Sequence, residues 1–324
     1  CHPDHRQTGG QCMIAAHQVL ILSDTPQDIV KQLESIIVES RMPAIRFIHP
    51  SKIYRSDLIE SVCVLMDHAW FEKNQNLREL ILSHSDKLGI LATVSGQEEM
   101  NRILKETGAC HFFGMSGTHT FQDIVNFLNA RIENRFWTAE TFIEPPVTAK
   151  SHFRFESSEN LEQQITRALE PHDLLSTFEG FKPILEKILN ETLTNALFNA
   201  PVDSDGSPVH RARNRKEVVL ADPDKIPTLD IIEDADKIIL TVRDFYGSLT
   251  KKVIDHYLTH GQVAEKEGGA GVGLFLILRD AHKLVINIEP GKMTEFIIVL
   301  HKFKRFFHYQ VLEKSFHLFE RKPS

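Results

Sequence analysis

Residues 181–200, FKPILEKILNETLTNALFNA, carry apolar side chains at Ile184, Leu185, Ile188, Leu189, Leu193, Ala196 and Leu197. That spacing predicts one helix with a single stripe facing a core. Beside the stripe, Glu191, Asn195 and Asn199 recur every four residues, which lines the three side chains along one edge of the helix, within reach of one bound object. Alone, such residues read as an ordinary solvated helix face.

Two stretches downstream change the weight of that edge. Residues 238–249, IILTVRDFYGSL, form a β-rich run that ends in Asp244 and Gly247. An aspartate there caps a turn, or it accepts a hydrogen from the exocyclic amine of a purine at the base of a pocket. Residues 268–284, GGAGVGLFLILRDAHKL, place Gly268, Gly269, Gly271 and Gly273 ahead of an apolar helix. Glycines let a backbone approach phosphate closely, and a helix N-terminus offers free N–H groups to it. A dinucleotide fold would need this turn after the first strand of a βαβ unit, with an acidic residue closing the next strand; neither condition is met. A last β-rich run, MTEFIIVL, follows at 293–300.

The order of these four stretches resembles the N, G1 and G2 boxes and closing strand of the histidine-kinase-like ATPase superfamily. The resemblance covers residues 151–302 and implies an α+β ATPase sandwich that binds ATP with Mg2+. Carried onto this chain, it makes Asn195 the Mg2+ ligand, Glu191 the catalytic carboxylate that activates a water or hydroxyl, and Asp244 the adenine reader. Gly247, Gly269, Gly271 and Gly273 match the hinges and phosphate cradle, Asn199 joins the cofactor-binding edge of the helix, and Thr294 places a hydroxyl near adenine. A lid would span SLTKKVIDHYLTHGQVAEKEGG, where Lys251 and Lys252 read as solvated lysines or as phosphate contacts. The polar stretch before β-rich residue Thr228 contains Arg211, Arg213, Arg215 and Lys216, which read as a solvated loop.

A histidine kinase needs an acceptor histidine on a dimerising hairpin. His172 follows Pro171 and no second long helix intervenes before residue 181, so His172 reads as a surface residue. The compact layout is similar to the anti-sigma-factor serine kinases, which implies a cytoplasmic serine/threonine protein kinase acting on a protein partner such as an anti-sigma antagonist or a sigma factor. A nucleotide-gated binding module without turnover, or a histidine-kinase relative lacking its own acceptor, remain the alternatives.

Toward the N-terminus, short apolar runs alternate with helical patterns from HQVLIL at 17–22 to FQDIVNFLNARIE at 121–133. Five strands and five helices in alternation predict a parallel sheet covered on both faces. Residues 15–133 resemble the receiver domain of response regulators, which implies a flavodoxin-like five-stranded domain. The receiver pocket would hold Asp24 beside Ser23, then Asp67 and Thr93, with Met115 and Ser116 where the family has lysine. One acid is missing from the first strand and Met115 offers no charge to balance a phosphoryl group. The region therefore reads as a pseudo-receiver that docks or dimerises, with Asp67 unphosphorylated; a weakly phosphorylatable receiver is the alternative.

Residues 134–150, with adjacent prolines, read as a linker that Phe136 and Trp137 pack onto a domain. Residues 1–14 read as a disordered leader, with Cys1, His2, His5 and Cys12 set aside as metal ligands. Residues 303–324 set Phe303, Phe307, Phe316 and Phe319 among basic residues, an amphipathic-helix pattern for packing on this chain or on a homodimer mate rather than on a membrane. Cys63 and Cys110 sit in apolar runs and read as buried thiols. A formal net charge of −7 argues against nucleic acid as the main partner.

Overall fold

The computed structural model describes residues 17–40, 45–49, 52–94, 96–115, 120–203, 209–210, 218–220, 222–258 and 272–321. The readings placed on the leader before Met13, on Ser116, on Arg211, Arg213, Arg215 and Lys216, and on Gly268, Gly269 and Gly271 lie outside the described residues.

Five apolar runs of the first half become parallel strands: β1 (His17–Leu22), β2 (Ile45–Ile48), β3 (Cys63–Asp67), β4 (Leu88–Ala92) and β5 (His111–Gly114). β1 and β3 to β5 are buried on both sides or nearly so, as near-continuous apolar runs require, while the edge strand β2 is only partly buried. The second half contributes β6 (Ala149–Arg154), β7 (Thr228–Glu233), β8 (Lys237–Asp244), β9 (Lys283–Glu289) and β10 (Met293–His301), all antiparallel to their neighbours among these five.

The expected pair of separate folds, a five-stranded flavodoxin-like domain and an ATPase sandwich, is overturned by one strand. β11 (Ser315–Glu320) lies antiparallel to β5 and parallel to β9. It closes a single 11-stranded mixed sheet in the order β2-β1-β3-β4-β5-β11-β9-β10-β8-β7-β6. The segment read as an amphipathic helix is instead a short helix at Phe306–Val311 followed by this strand. Its side chains are buried on both faces, Phe316 and Leu318 on one and Phe319 on the other, so the alternation that would have announced a strand is absent.

Both faces of the sheet carry cores that run across the joint. On one face Leu20, Val64 and Ile90 belong to the same cluster as Leu189, Ile231, Leu240 and Ile286. This face is covered by helices including Gln97–Thr107, Leu161–Leu169, Phe181–Thr194 and Val272–Asp280. On the other, Val19, Leu65 and Phe113 join Ile232, Val285 and Ile297, beneath helices Pro26–Ser40 and Thr120–Ile132 and beneath Trp137, Ala139 and Phe142. The segment expected to be a linker is thus part of the second core. It is pinned there by polar contacts: Asn287 Nδ2 donates to the Trp137 carbonyl at 2.7 Å and to Glu295 Oε2 at 2.7 Å, while Arg243 Nε donates to Glu295 Oε1 at 3.0 Å.

At the joint itself β5 and β11 share only two register pairs, Phe112 with Phe316 and His111 with His317. Lys283 of β9 pairs with Asp123 of helix Thr120–Ile132 across the same seam. The rings of His111 and His317 are stacked 5.8 Å apart, and Trp137 meets His317 edge-on at 4.6 Å. Nδ1 of His111 and both ring nitrogens of His317 are buried without a hydrogen-bond partner. Burial holds both imidazoles neutral with pKa values well below the usual one, and Lys283 and Arg131 push the same way. Unfolded, these groups protonate near pH 6.5; folded, they resist, so the unfolded chain takes up protons first. Stability is fully present above pH 6.5 and falls below it, by about 1.4 kcal/mol per pH unit for each histidine. Urea midpoints measured between pH 7.5 and 5.5 will show this decline, and His317→Phe will make it shallower. An unchanged slope in that variant would place the acid sensitivity elsewhere.

Candidate functional site

The Phe181–Thr194 helix buries Leu185, Ile188, Leu189 and Leu193 against the sheet, as its stripe predicts. Its end departs from the regular period. Asn195–Asn199 form a π turn, closed by the Ala200 amide donating to the Asn195 carbonyl at 2.9 Å. Such one-turn bulges rotate side chains away from the α-helical track and recur at functional sites. Here Asn199 is exposed, yet its Nδ2 still reaches Asn195 Oδ1 at 2.7 Å.

Gly273, in the first turn of the Val272–Asp280 helix, packs directly on this edge. A Cβ built there would lie 2.6 Å from Glu191 Oε2 and 3.5 Å from Asn195 Nδ2. The absence of a side chain lets the backbone sit against the carboxylate and the amide together. Glu191 also walls a cavity of about 360 Å³ that is lined by Ser158, Asn160, Asn190 and Thr194. The sequence-predicted residues Glu191, Asn195, Asn199 and Gly273 therefore form one constellation.

A second constellation stands at the end of β8. Asp244 is buried, and its Oδ1 accepts from the amides of Tyr246 at 2.9 Å and Gly247 at 3.2 Å. Burial raises its pKa, and those two amides oppose the rise. Thr294 lies directly opposite on β10, with its hydroxyl buried beside the Asp244 carboxylate, whereas the hydroxyl of Thr241 on β8 is buried without a partner. Gly247 has φ +59°, and a Cβ there would come within 2.3 Å of the Glu289 carbonyl oxygen. Only glycine fits this turn. Ser248 Oγ then donates to the Ala200 carbonyl at 2.9 Å, tying the turn after Asp244 to the residue that ends the π turn.

Two residues at this end were not visible in the sequence pattern. Lys225 donates to the Phe245 carbonyl, with its ammonium 5.3 Å from the centre of the Tyr246 ring. It comes from a 3-10 turn after Asp222, whose sequence carries only a turn signal. Gln97, from the parallel half, donates to the Phe275 carbonyl at 2.9 Å within the helix that follows the glycines. A contact between residues so far apart in the chain leaves no local trace. Lys251, a candidate phosphate contact, is instead paired with Asp255 at 2.8 Å.

At the receiver-like pocket the sheet brings Asp24, Ser23 and Asp67 to the same strand ends. Ser23 Oγ is 3.5 Å from Asp67 Oδ2, and Asp67 Oδ1 caps the His68–Lys73 helix through the Ala69 amide at 2.9 Å. Thr93 is exposed just beyond β4. Lys73 pairs with Asp24 and lies near enough to Asp67 to feel its charge. Lys73 thus supplies positive charge at this end of the sheet, where Met115 carries none. Met115 instead packs by the sheet, its amide donating to the Ala92 carbonyl at 3.0 Å.

His172 is a correction. Read as a surface residue, it is buried, with Nδ1 3.0 Å from Glu233 Oε2 and Nε2 2.8 Å from Ser151 Oγ. Pro171 turns the chain inward over β6 and β7, and a carboxylate and a hydroxyl satisfy both ring nitrogens. Among the described residues no cluster of three or more His, Cys, Asp or Glu is arranged to hold a metal ion, and no helix is long and apolar enough to cross a membrane.

No protein-family model matches the chain. No curated protein matches it significantly either. Among solved structures, a crystal structure of CapF with the inhibitor 3-isopropenyl-tropolone aligns with 71% of this chain and 74% of that one, at 10% identity and a TM-score of 0.22. A likeness of that size carries no conclusion about fold or activity.

Proposed function

We propose that the chain is an ATP-binding signalling protein of the cytoplasm, a serine/threonine protein kinase of the anti-sigma type that acts on a protein partner. The reading is carried by the contact of Gly273 with Glu191 and Asn195, a side-chain-free helix start set against a carboxylate and an amide. An amide oxygen at Asn195 can ligate Mg2+, which takes oxygen donors and keeps several waters. Phosphates can approach the backbone at Gly273, and Glu191 can orient or deprotonate an incoming hydroxyl. The Asp244 carboxylate, with Thr294 opposite, suits the amino edge of adenine. The fold around these groups is the single mixed sheet, and the parallel half reaches the nucleotide end through Gln97.

Phosphoryl transfer is mostly positioning and charge stabilisation, so no covalent enzyme intermediate is required. The buried His172 does not serve as a phosphate acceptor, and the hydroxyl comes from the partner. The pairing of Lys251 with Asp255 favours the second reading, a nucleotide-gated binding module, because it removes one cation from the phosphate side.

Isothermal titration with Mg2+ and ATP tests the proposal. Asn195→Ala removes most of the metal-dependent affinity, and Asp244→Asn weakens the preference for adenine over guanine. Unchanged binding in both variants defeats the site assignment. With a partner captured in ATP, loss of Ser or Thr phosphate in Glu191→Ala with retained ATP binding supports the kinase. ATP-dependent binding without modification leaves the module.

A further inference from the structure

Ser151, His172 and Glu233 stand in a hydrogen-bonded row that the nucleotide reading does not use. Glu233 is buried, and its carboxylate accepts from Lys302 Nζ at 2.7 Å and from the Asp173 amide at 3.3 Å. Both neighbours are donors, so the carboxylate acts as the acceptor of this cluster and accepts from His172 as well. Nδ1 of His172, 3.0 Å from Glu233 Oε2, must therefore carry the proton. Nε2 is then the bare nitrogen, and the Ser151 hydroxyl, 2.8 Å away, points its hydrogen at it. The tautomer and both distances are those of a serine nucleophile with an oriented general base.

The position of Ser151 suits attack from outside. β6 is an edge strand, and Ser151 is half-buried upon it, while the His172 side chain is fully enclosed. Phe155 donates to the Pro227 carbonyl, which turns the odd-numbered amides of β6 toward β7 and the His152 amide outward beside Ser151. An amide in that place can receive the oxygen of an attacked carbonyl.

We propose that Ser151 is a nucleophile toward activated acyl esters, with His172 as its base and Glu233 as the positioning residue. Ser151 Oγ forms a bond to the acyl carbon as its proton passes to His172 Nε2. The bond from the acyl carbon to the leaving alcohol then breaks, and His172 returns the proton to that alcohol. Water, activated by the same nitrogen, hydrolyses the acyl-serine, so that ester and water give acid and alcohol. The inference is independent of ATP.

The full chain is treated with a fluorophosphonate and digested for mass spectrometry. The expected result is an adduct on Ser151, formed with loss of fluoride about 100-fold faster than in the urea-unfolded chain, as a positioned base provides. Ser151→Ala should lose the adduct, and His172→Gln should slow it to the rate of the unfolded chain. p-Nitrophenyl acetate should give a burst of nitrophenol in the native chain and none in that variant. A folded native chain in which Ser151 is unlabelled, or labelled no faster than in urea, overturns the proposal and leaves the row as a satisfied polar cluster.

Discussion

Gly247→Ala is expected to destabilise the chain by roughly 3 kcal/mol or more and, on the proposed role of Asp244, to abolish selectivity for adenine. Two costs add. The backbone has φ +59°, a conformation an alanine adopts only with strain, and the new methyl would sit 2.3 Å from the Glu289 oxygen and 2.8 Å from the Lys292 and Met293 nitrogens. All three are backbone atoms of the β9–β10 turn and cannot swing aside as a side chain would. The turn must open, and Asp244 then loses the Gly247 and Tyr246 amides that hold its carboxylate. Urea denaturation gives the stability change, and titration with ATP and GTP gives the recognition. A variant with wild-type midpoint would mean that the turn tolerates a side chain, against the geometry described.

The other large effect concerns the joint. Phe316 is 1% exposed on β11, paired with Phe112 on one side and with Leu284 on the other. Phe316→Ala removes a ring from the core on that face and should cost about 3–5 kcal/mol. The location makes it more than a cavity experiment, because the two tryptophans report on different regions: Trp70 packs in the parallel half and Trp137 at the joint, against His317 and Phe319 of β11. With each replaced in turn by phenylalanine, the remaining one should show a transition shifted to lower urea by Phe316→Ala, and the two transitions should coincide. A Trp70 transition that ignores the substitution would show that the parallel half unfolds as a unit of its own.

Much of this arrangement could be read from local pattern. The N-terminal strands are short apolar runs separated by helical stripes, and β1 and β3 to β5 carry that burial on both faces, so periodicity and length sufficed. Glu191, Asn195, Gly247 and Gly273 were legible because each belongs to a short spacing with a backbone or helix-face consequence. Three features were not. β11 is buried on both faces and flanked by Lys314 and Arg321, so it imitated an amphipathic helix, and its pairing with β5 depends on segments far apart in the chain. His172 looked solvated because its partners, Ser151 and Glu233, lie on β6 and β7 rather than nearby in sequence. Lys73 and Lys225 act through side-chain reach, which no periodicity encodes. The separation into two folds failed for the first reason alone, since every local signal on either side of residue 140 was compatible with a self-contained sheet.

The placement of β11 also bears on the order of events at the ribosome. Gly114, at the end of β5, is bonded to Ser315 of β11 across 201 residues of chain. While the intervening residues are being made, β5 and β9 each present a row of unpaired amides and carbonyls, the kind of edge that pairs with any available strand. Non-local closure of this sort is slow, and the waiting edges are exposed to neighbouring nascent copies. The strand that unites the sheet therefore also covers these two edges: only once residues 315–320 have emerged, rather than on collapse of the first half, do β5 and β9 cease to offer unpaired groups to another copy.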